Sequence, residues 1–397
     1  MKLLVLLSRF PYPLDKGDKL RAFHQLRCLA ETHEICLFAL SDEVVSPEME
    51  AAVRPLCRGG LVVRRLRRPG IARNVARALA TGKPLQVGYF YDAGAQRQVD
   101  ELLRTFRPAH VYCQLIRMAE YLRPHARQWP MTLDYMDVFS AGMGRRVAQA
   151  PAWQRGLWAL EARRLMAYEV AAFDWFQHHT IISDQDRQLI QHPRREQIHI
   201  VLNGIDTDFF QPRPDAGKEY EVLFCGNMAY HPNVDAACFL AEEILPLVRQ
   251  RHPAARLLVA GTTPAARVLA LASAHVTVSG WVPDIRAAYA AARVFVAPMR
   301  VGTGLQNKLL EAMAMELPCV TTPLANNALQ GRPGHDLEVA ATAAELAESI
   351  SALLADGGRA AQLAGRGHTF VKSNYNWAAA TNKLTELFSC SLRATSC

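Results

Sequence analysis

The 397-residue sequence contains no Cys-x-x-Cys pair, no His-Glu-x-x-His and no run of eighteen apolar residues. Its nine cysteines are odd in number, which speaks against a disulfide scaffold or a zinc ribbon and for a reducing cytoplasm. The thirteen histidines form no ligand cluster with carboxylates, and His178-His179, just ahead of an apolar run, read as structural. Without a long apolar run no helix is expected to span a bilayer, so any membrane contact is peripheral, at the inner face. The opening MKLLVLLSRFPYP has an apolar stretch ended by Ser8 and Arg9, too short for the apolar region of a signal peptide. Gly-x-Gly-x-x-Gly and Gly-x4-Gly-Lys-[Ser/Thr] are missing as well, which removes the dinucleotide and P-loop readings.

What is present suits a folded enzyme. Half of the residues are hydrophobic and 21% are charged, and the length favours two packed domains over one. The net charge of +8 is uneven: 29 basic against 22 acidic residues stand before Gln211, and 16 against 15 after it. Between Arg54 and Arg77 there are eight arginines and no acid, with Leu61, Val62, Val63, Leu66 and Ile71 interleaved. Such a stretch suits lipid headgroups, a phosphorylated lipid carrier or nucleic acid, and equally a solvated basic face. No recognised binding module accompanies it, so nucleic acid is not expected.

The pattern reads as two doubly wound α/β domains. In the first, strands are predicted at Lys2–Leu7, Glu34–Leu40 and near residues 61–63, 110–113, 132–135 and 179–182. Helices are predicted at about 19–32 and 152–172. Residues 201–214, dense in turn residues and prolines, read as a linker and hinge. The pattern then restarts, with strands predicted at 221–225, 256–260, 276–279, 294–297 and 319–322. The division expected is 1–202, 203–374, and a segment 375–397 whose helix returns to the first domain.

The richest run is Ala297-Pro-Met-Arg-Val-Gly-Thr-Gly-Leu-Gln-Asn-Lys-Leu-Leu-Glu-Ala-Met-Ala-Met315. A strand ends at Ala297 and a helix begins near Asn307. Gly302 and Gly304 let the backbone approach a bulky anion, which the free N–H groups of the helix start also favour. Lys308 adds a positive charge suited to a diphosphate. Glu311, three residues on, shares its helix face and suits vicinal ribose hydroxyls. The same residues, taken alone, also fit a glycine-rich turn carrying an i,i+3 ion pair.

This run resembles the donor-site motif of glycosyltransferase family 4, a Gly loop followed by Leu-Glu-Ala-Met-Ala and an apolar strand. It is more similar to the branch with Gly-x-x-Asn-Lys-x-Leu-Glu-Ala-Met-Ala-Met, found in exopolysaccharide clusters, including those beside PEP-CTERM exosortase systems. Arg9-Phe-Pro-Tyr-Pro with Asp15-Lys-Gly-Asp-Lys, Asn203-Gly-Ile-Asp, Phe224-Cys-Gly-Asn-Met with Pro232-Asn-Val-Asp-Ala, and Tyr375-Asn-Trp resemble the same branch in the same order.

The resemblance implies the GT-B fold, two Rossmann-like domains facing a cleft. It implies a retaining transfer from a nucleotide-sugar to a glycan or lipid-linked acceptor, without cofactor or metal. Glu311 matches the ribose-binding closing Glu of the family's Glu-x7-Glu pattern, while Thr303 stands where the opening Glu belongs. Gly17, Gly226 and Asn227 match diphosphate-facing turns. The Arg and Lys that many members carry after the second turn are replaced by Ala229, Tyr230 and His231, which shifts phosphate binding to Lys308, the Gly loop and Arg300. Trp281-Val282-Pro-Asp284 resembles the loop bordering the nucleobase, where Trp281 is either a stacking platform or a core residue. For the catalytic position the matching stretch is Thr132 to Phe139, with Asp137 the first choice and Asp134 the second, and Gln114 stands where another His is frequent. Asp206-Thr-Asp208 spells the metal motif of the GT-A fold but lies in the linker. A non-hydrolysing sugar-nucleotide epimerase and a binding protein without turnover are the competing readings.

Overall fold

The computed structural model describes residues 1–301 and 304–394. The chain divides into two compact units, Met1–Asn203 with Trp377–Cys397, and Gly204–Asn376.

The first unit is built on a seven-stranded sheet in which every pairing is parallel. Its strands are β1 (Lys2–Leu7), β2 (Glu34–Ser41), β3 (Gly60–Arg65), β4 (His110–Gln114), β5 (Met131–Asp134), β6 (His178–Ile181) and β7 (His199–Ile200), in the order β3-β2-β1-β4-β5-β6-β7. Parallel strands need crossovers, and the helices that make them cover both faces. Strand β1 shows the result: Leu4 and Leu6 enter the core on one face, Leu3, Val5 and Leu7 the core on the other. A strand buried twice over reads as a continuous apolar run, as β1 does.

The apolar residues of the arginine-rich stretch are absorbed the same way. Strand β3 is the sheet edge, Val62 packs on one face and Leu61 and Val63 on the other, and Leu66 is in the core. The helix Arg68–Ala80 follows, with Ile71 turned inward and Leu79 exposed.

The second unit repeats the plan with β8 (Tyr220–Cys225), β9 (Leu257–Ala260), β10 (Val276–Gly280), β11 (Ala292–Ala297), β12 (Cys319–Thr321) and β13 (Glu338–Val339), ordered β10-β9-β8-β11-β12-β13. All pairings in it are parallel. The helix after β8 runs from His231 to Arg251 and widens to a π turn at Leu240–Ile244. Pro246, which has no N–H to donate, sits just after that widening.

The last helix, Trp377–Ala394, belongs to the first unit. Leu384 and Phe388 are fully buried in the core that holds Leu3 and Val5. The Phe388 ring lies 4.5 Å from His110 and 5.7 Å from Tyr112, and Trp377 stacks on His24 at 5.0 Å. The chain thus enters the second unit after Asn203 and leaves it before Trp377, and Ile205 and Asn376, near these crossings, pair in a short bridge. Replacing Phe388 by Ala should destabilise the first unit by about 3–5 kcal/mol, the cost of emptying a buried aromatic site. Urea titration followed by amide exchange in β1 and β4 measures this.

Candidate functional site

In a doubly wound sheet the order reverses where the first strand meets its neighbour on the other side, and loops diverge there at the strands' carboxyl ends. In the second unit that point lies between β8 and β11. Strand β8 ends in Cys225 and Gly226, whose φ of 156° lies at the edge of the glycine region. Strand β9 ends beside it in Gly261 (φ 140°), where an added Cβ would lie 1.8 Å from the Gly226 oxygen. Two strand ends therefore approach at a distance only glycine permits.

Into this corner comes the helix Asn307–Ala314. Leu309, Leu310, Ala312 and Met313 are fully buried, which holds its outer residues in fixed directions. The Lys308 ammonium lies 3.2 Å from where a Gly226 Cβ would be and 4.7 Å from the Phe224 ring centre, and it donates to Asn233 Oδ1. Asn233 in turn donates to the Asn227 carbonyl at 2.9 Å. Burial lowers the Lys308 pKa to about 8. Glu311 accepts a 2.7 Å bond from the Tyr289 hydroxyl, and burial raises its pKa against the pull of Tyr289 and Lys308. Cys225, its thiol pushed up to about 12 mainly by burial, lies 2.9 Å from the Tyr289 oxygen. The two charged residues thus turn to Asn233 and Tyr289 respectively. Next to Lys308, the Asn307 Oδ1 atom is buried with no hydrogen-bond partner among the described residues, an acceptor that an incoming donor group would satisfy.

The other expected donor residues fall in different places. Gly304 (φ 90°) has open space around its Cβ position among the described residues. Gly302 and Thr303 lie outside the described residues. Trp281 is 66% exposed just after Gly280 at the end of β10, with Val282 half-buried beside it, so the core reading of Trp281 is set aside. The Arg300 guanidinium is held by Asp235 at 2.9 Å and Glu243 at 3.4 Å, over the Phe239 ring. Asp206 Oδ1 accepts from the backbone N–H groups of Asp208 and Phe209, which makes the Asp-Thr-Asp stretch a capped turn. Among the described residues no group of three or more His, Cys, Asp or Glu could hold a metal ion.

In the first unit the order reverses between β1 and β4. Beyond β1, the helix Gly17–Leu29 starts at Gly17, which is exposed with nothing near its Cβ position, and Asp18 in its first turn holds Arg9 at 2.6 Å. Beyond β4 and β5 the backbone takes left-handed turns at Leu115 (φ 67°) and Met136 (φ 58°). Strained turns of this kind persist where the surroundings fix them, and this one turns Asp137 out to solvent.

Asp134 is a correction to the second catalytic choice. It is fully buried, and its Oδ2 accepts from Arg21 Nε at 2.7 Å and from the Tyr112 hydroxyl at 2.8 Å. Arg21, fully buried too, also reaches Asn203 Oδ1 at 2.8 Å. The carboxylate is a structural counter-ion closed to substrate. Gln114 is 2% exposed and its amide nitrogen has no partner.

Sequence reasoning passed over Arg117 and Glu169. Arg117 stacks between the rings of Phe90 (4.8 Å) and Phe139 (4.4 Å), and burial, with Arg9 nearby, lowers its pKa to about 10. Glu169, raised to about 7 chiefly by burial, accepts from the backbone and hydroxyl of Ser140 at the start of the helix that follows Asp137. No motif marks either one. Asn233 was legible, since it lies inside the Pro-Asn-Val-Asp-Ala run, whereas Tyr289 carries no local signal.

Residues 219–356 match the family model described as glycosyl transferases group 1. The second unit carries a glycosyl transferases group 1 domain. It contains every described donor-site residue expected of the second half. No curated protein sequence matches the chain. Among solved structures it is similar to sucrose-phosphate synthase from Thermosynechococcus elongatus, at 16% identity and a TM-score of 0.70, covering 99% of this chain and 100% of that one. It is also similar to Anabaena HepE in complex with UDP, at 13% identity and a TM-score of 0.66, covering 98% and 100%. A glycosyltransferase from Rickettsia africae aligns at 12% identity and a TM-score of 0.69, covering 98% of each chain. At these identities the likeness shows the fold, which is GT-B, two Rossmann-like α/β domains.

The glycine pair of the glycosyltransferase domain gives a direct test. Gly261→Ala should cost roughly 2–6 kcal/mol, the sum of backbone strain and overpacking against Gly226. Differential scanning calorimetry should show a lowered second-unit transition, while Gly304→Ala, in open space, should lose only the backbone-strain part of roughly 1–3 kcal/mol.

Proposed function

We propose that the chain is a metal-independent, retaining glycosyltransferase that moves a sugar from a nucleotide-sugar to a glycan or lipid-linked acceptor in cell-surface polysaccharide synthesis. The observation that carries this reading is the pairing of Lys308 and Glu311 on one buried helix start, beside the Gly226 turn at the reversal point of the second sheet. A helix N-terminus and an ammonium suit a diphosphate, and the Glu311 oxygen left over by Tyr289 suits ribose hydroxyls. That HepE was solved with UDP supports a uridine or similar nucleotide at this place, and Trp281 is exposed for stacking on the base.

In the proposed reaction the bond between the sugar carbon and the diphosphate oxygen breaks, and the acceptor oxygen bonds to that carbon from the same face. The acceptor proton passes to the departing phosphate oxygen. Lys308 and the helix start stabilise the negative charge that develops on the diphosphate. The first unit holds the acceptor, with Asp137 orienting hydroxyls rather than acting as nucleophile, and Gly17 lines the diphosphate. Arginines of the stretch 54–77 give a peripheral contact with an anionic membrane, at the cytoplasmic face. With Leu61, Val62, Val63 and Leu66 packed inward, that contact is electrostatic, about 1 kcal/mol for each basic residue near the leaflet.

Lys308→Ala should weaken nucleoside diphosphate binding by about 1.5–3 kcal/mol, the value of a hydrogen bond to a charged group, and EDTA should leave turnover intact. Strict dependence on manganese or magnesium would overturn the metal-free reading. The pH dependence has a definite sign. With the free-protein pKa of Lys308 at about 8, the ammonium form that binds a diphosphate is lost as pH rises through 8, so affinity should be flat below that pH and fall above it. Stability of the empty protein should move the other way. The unfolded chain holds this proton up to about pH 10.4, so between pH 8 and that value it binds more protons than the folded one and stability rises with pH. Calorimetric titration with UDP across pH 6.5–9.5 checks the affinity slope and thermal unfolding of the empty protein over the same range checks the stability slope, each for the wild type and the Lys308→Ala variant.

A further inference from the structure

The first unit holds a cavity of about 730 Å³ where the edge strand β3, the start of the helix Arg68–Ala80 and the start of the helix Ala93–Phe106 meet. Arg64, Arg65, Arg67 and Arg73 line it. The lining includes one acid, Asp92, and that carboxylate is already engaged: its Oδ1 caps the second helix through Ala95 N at 2.8 Å and holds Arg64 at 3.0 Å. Arg65, Arg67 and Arg73 have no acidic partner among the described residues. Two further polar atoms in the lining, Arg64 Nε and Gln98 Oε1, are buried without a hydrogen-bond partner. The helix Arg68–Ala80 begins here with no side-chain cap, no acid in its first turn, and open space at Gly70.

We propose that this cavity is a binding site for a phosphate-bearing group, separate from the donor site of the second unit. Four guanidinium groups against one committed carboxylate leave a surplus of positive charge around a concave space. Guanidinium forks match phosphate oxygens two at a time, and the uncapped helix start adds the N–H groups of Arg68 and Gly70, Pro69 between them having none. Gln98 Oε1, an acceptor, suits a hydroxyl carried by the same ligand, as on a phosphorylated saccharide or a hydroxylated headgroup. The arrangement differs from a smeared basic face in that its exposed arginines surround a concave space whose lining holds two buried polar atoms without a partner among the described residues. It uses the same arginines as the proposed membrane contact but stands without the transferase reading.

The test is calorimetric titration of pyrophosphate into the wild type, the double variant Arg67→Ser/Arg73→Ser, and Lys308→Ala. Both arginines are exposed, and circular dichroism with thermal melting verifies that the variant folds. Binding in the cavity predicts a pyrophosphate event that survives Lys308→Ala and weakens at least tenfold in the double variant. If pyrophosphate binding is unchanged in the double variant, or absent from Lys308→Ala, the cavity site is overturned while the donor site stands. Sedimentation with phosphatidic acid vesicles, against phosphatidylcholine alone, then separates the sources. Arg67/Arg73-dependent sedimentation assigns the phosphate to a lipid headgroup, and its absence beside retained pyrophosphate binding assigns it to a soluble ligand.

Discussion

A sheet whose strands all run one way delivers every strand's carboxyl end to the same edge, and each of the two sheets here obeys that constraint. Side chains far apart in sequence meet at that edge because the crossover helices return the chain to the opposite one. Gly226, Gly261 and Gly280 follow three adjacent strands, and Lys308 arrives beside them across the reversal point. In the first unit Leu115 and Met136 mark the same edge with left-handed turns. Each sheet thus places glycines or left-handed turns at the carboxyl ends of the strands beside its reversal point, where ligand chemistry needs them.

The two rims are stabilised by different means. The second unit relies on close backbone approach and on neutral or singly charged neighbours: Asn233, Tyr289 and a protonated Cys225 surround one lysine and one glutamate. The first unit places a complete ion pair, Arg21 with Asp134, at the centre of its sheet, with Tyr112 and Asn203 taking up further bonds. Removing one member of such a pair strands the other charge in a medium that cannot solvate it. The pair also joins the first helix, two central strands and the last residue before the second unit, so the position where the chain leaves is fixed by the deepest polar contact of the unit it leaves.

The sequence carried the central strands and the donor helix because burial on two faces and a glycine-flanked helix start both leave local patterns. Strand β7, with two residues, and β13, also with two, leave none. The helices Ala93–Phe106 and Gly357–Asn374 were passed over. Asp134 stood second to Asp137 in the chain, and the tertiary arrival of Arg21, more than a hundred residues away, is what marks it as a buried counter-ion beside an exposed acid. The pairing of Arg300 with Asp235, which reaches it from another helix, left no local trace for the same reason. Long-range charge pairing has no local signature, so it is the part of a site that a single sequence conceals.

The final helix has a consequence for synthesis. Leu384 and Phe388 complete a core that includes Leu3, Val5 and Leu7, residues made before the second unit. The whole second unit emerges between them, so the nascent first sheet must wait with the part of that face around His110 and Tyr112 lacking its last cover. During translation, at about 5–20 residues per second, that interval lasts on the order of 10–40 seconds. The chain thus couples the order of manufacture to exposure of a hydrophobic surface, and a ribosome-associated chaperone would find its client in the first unit rather than the second.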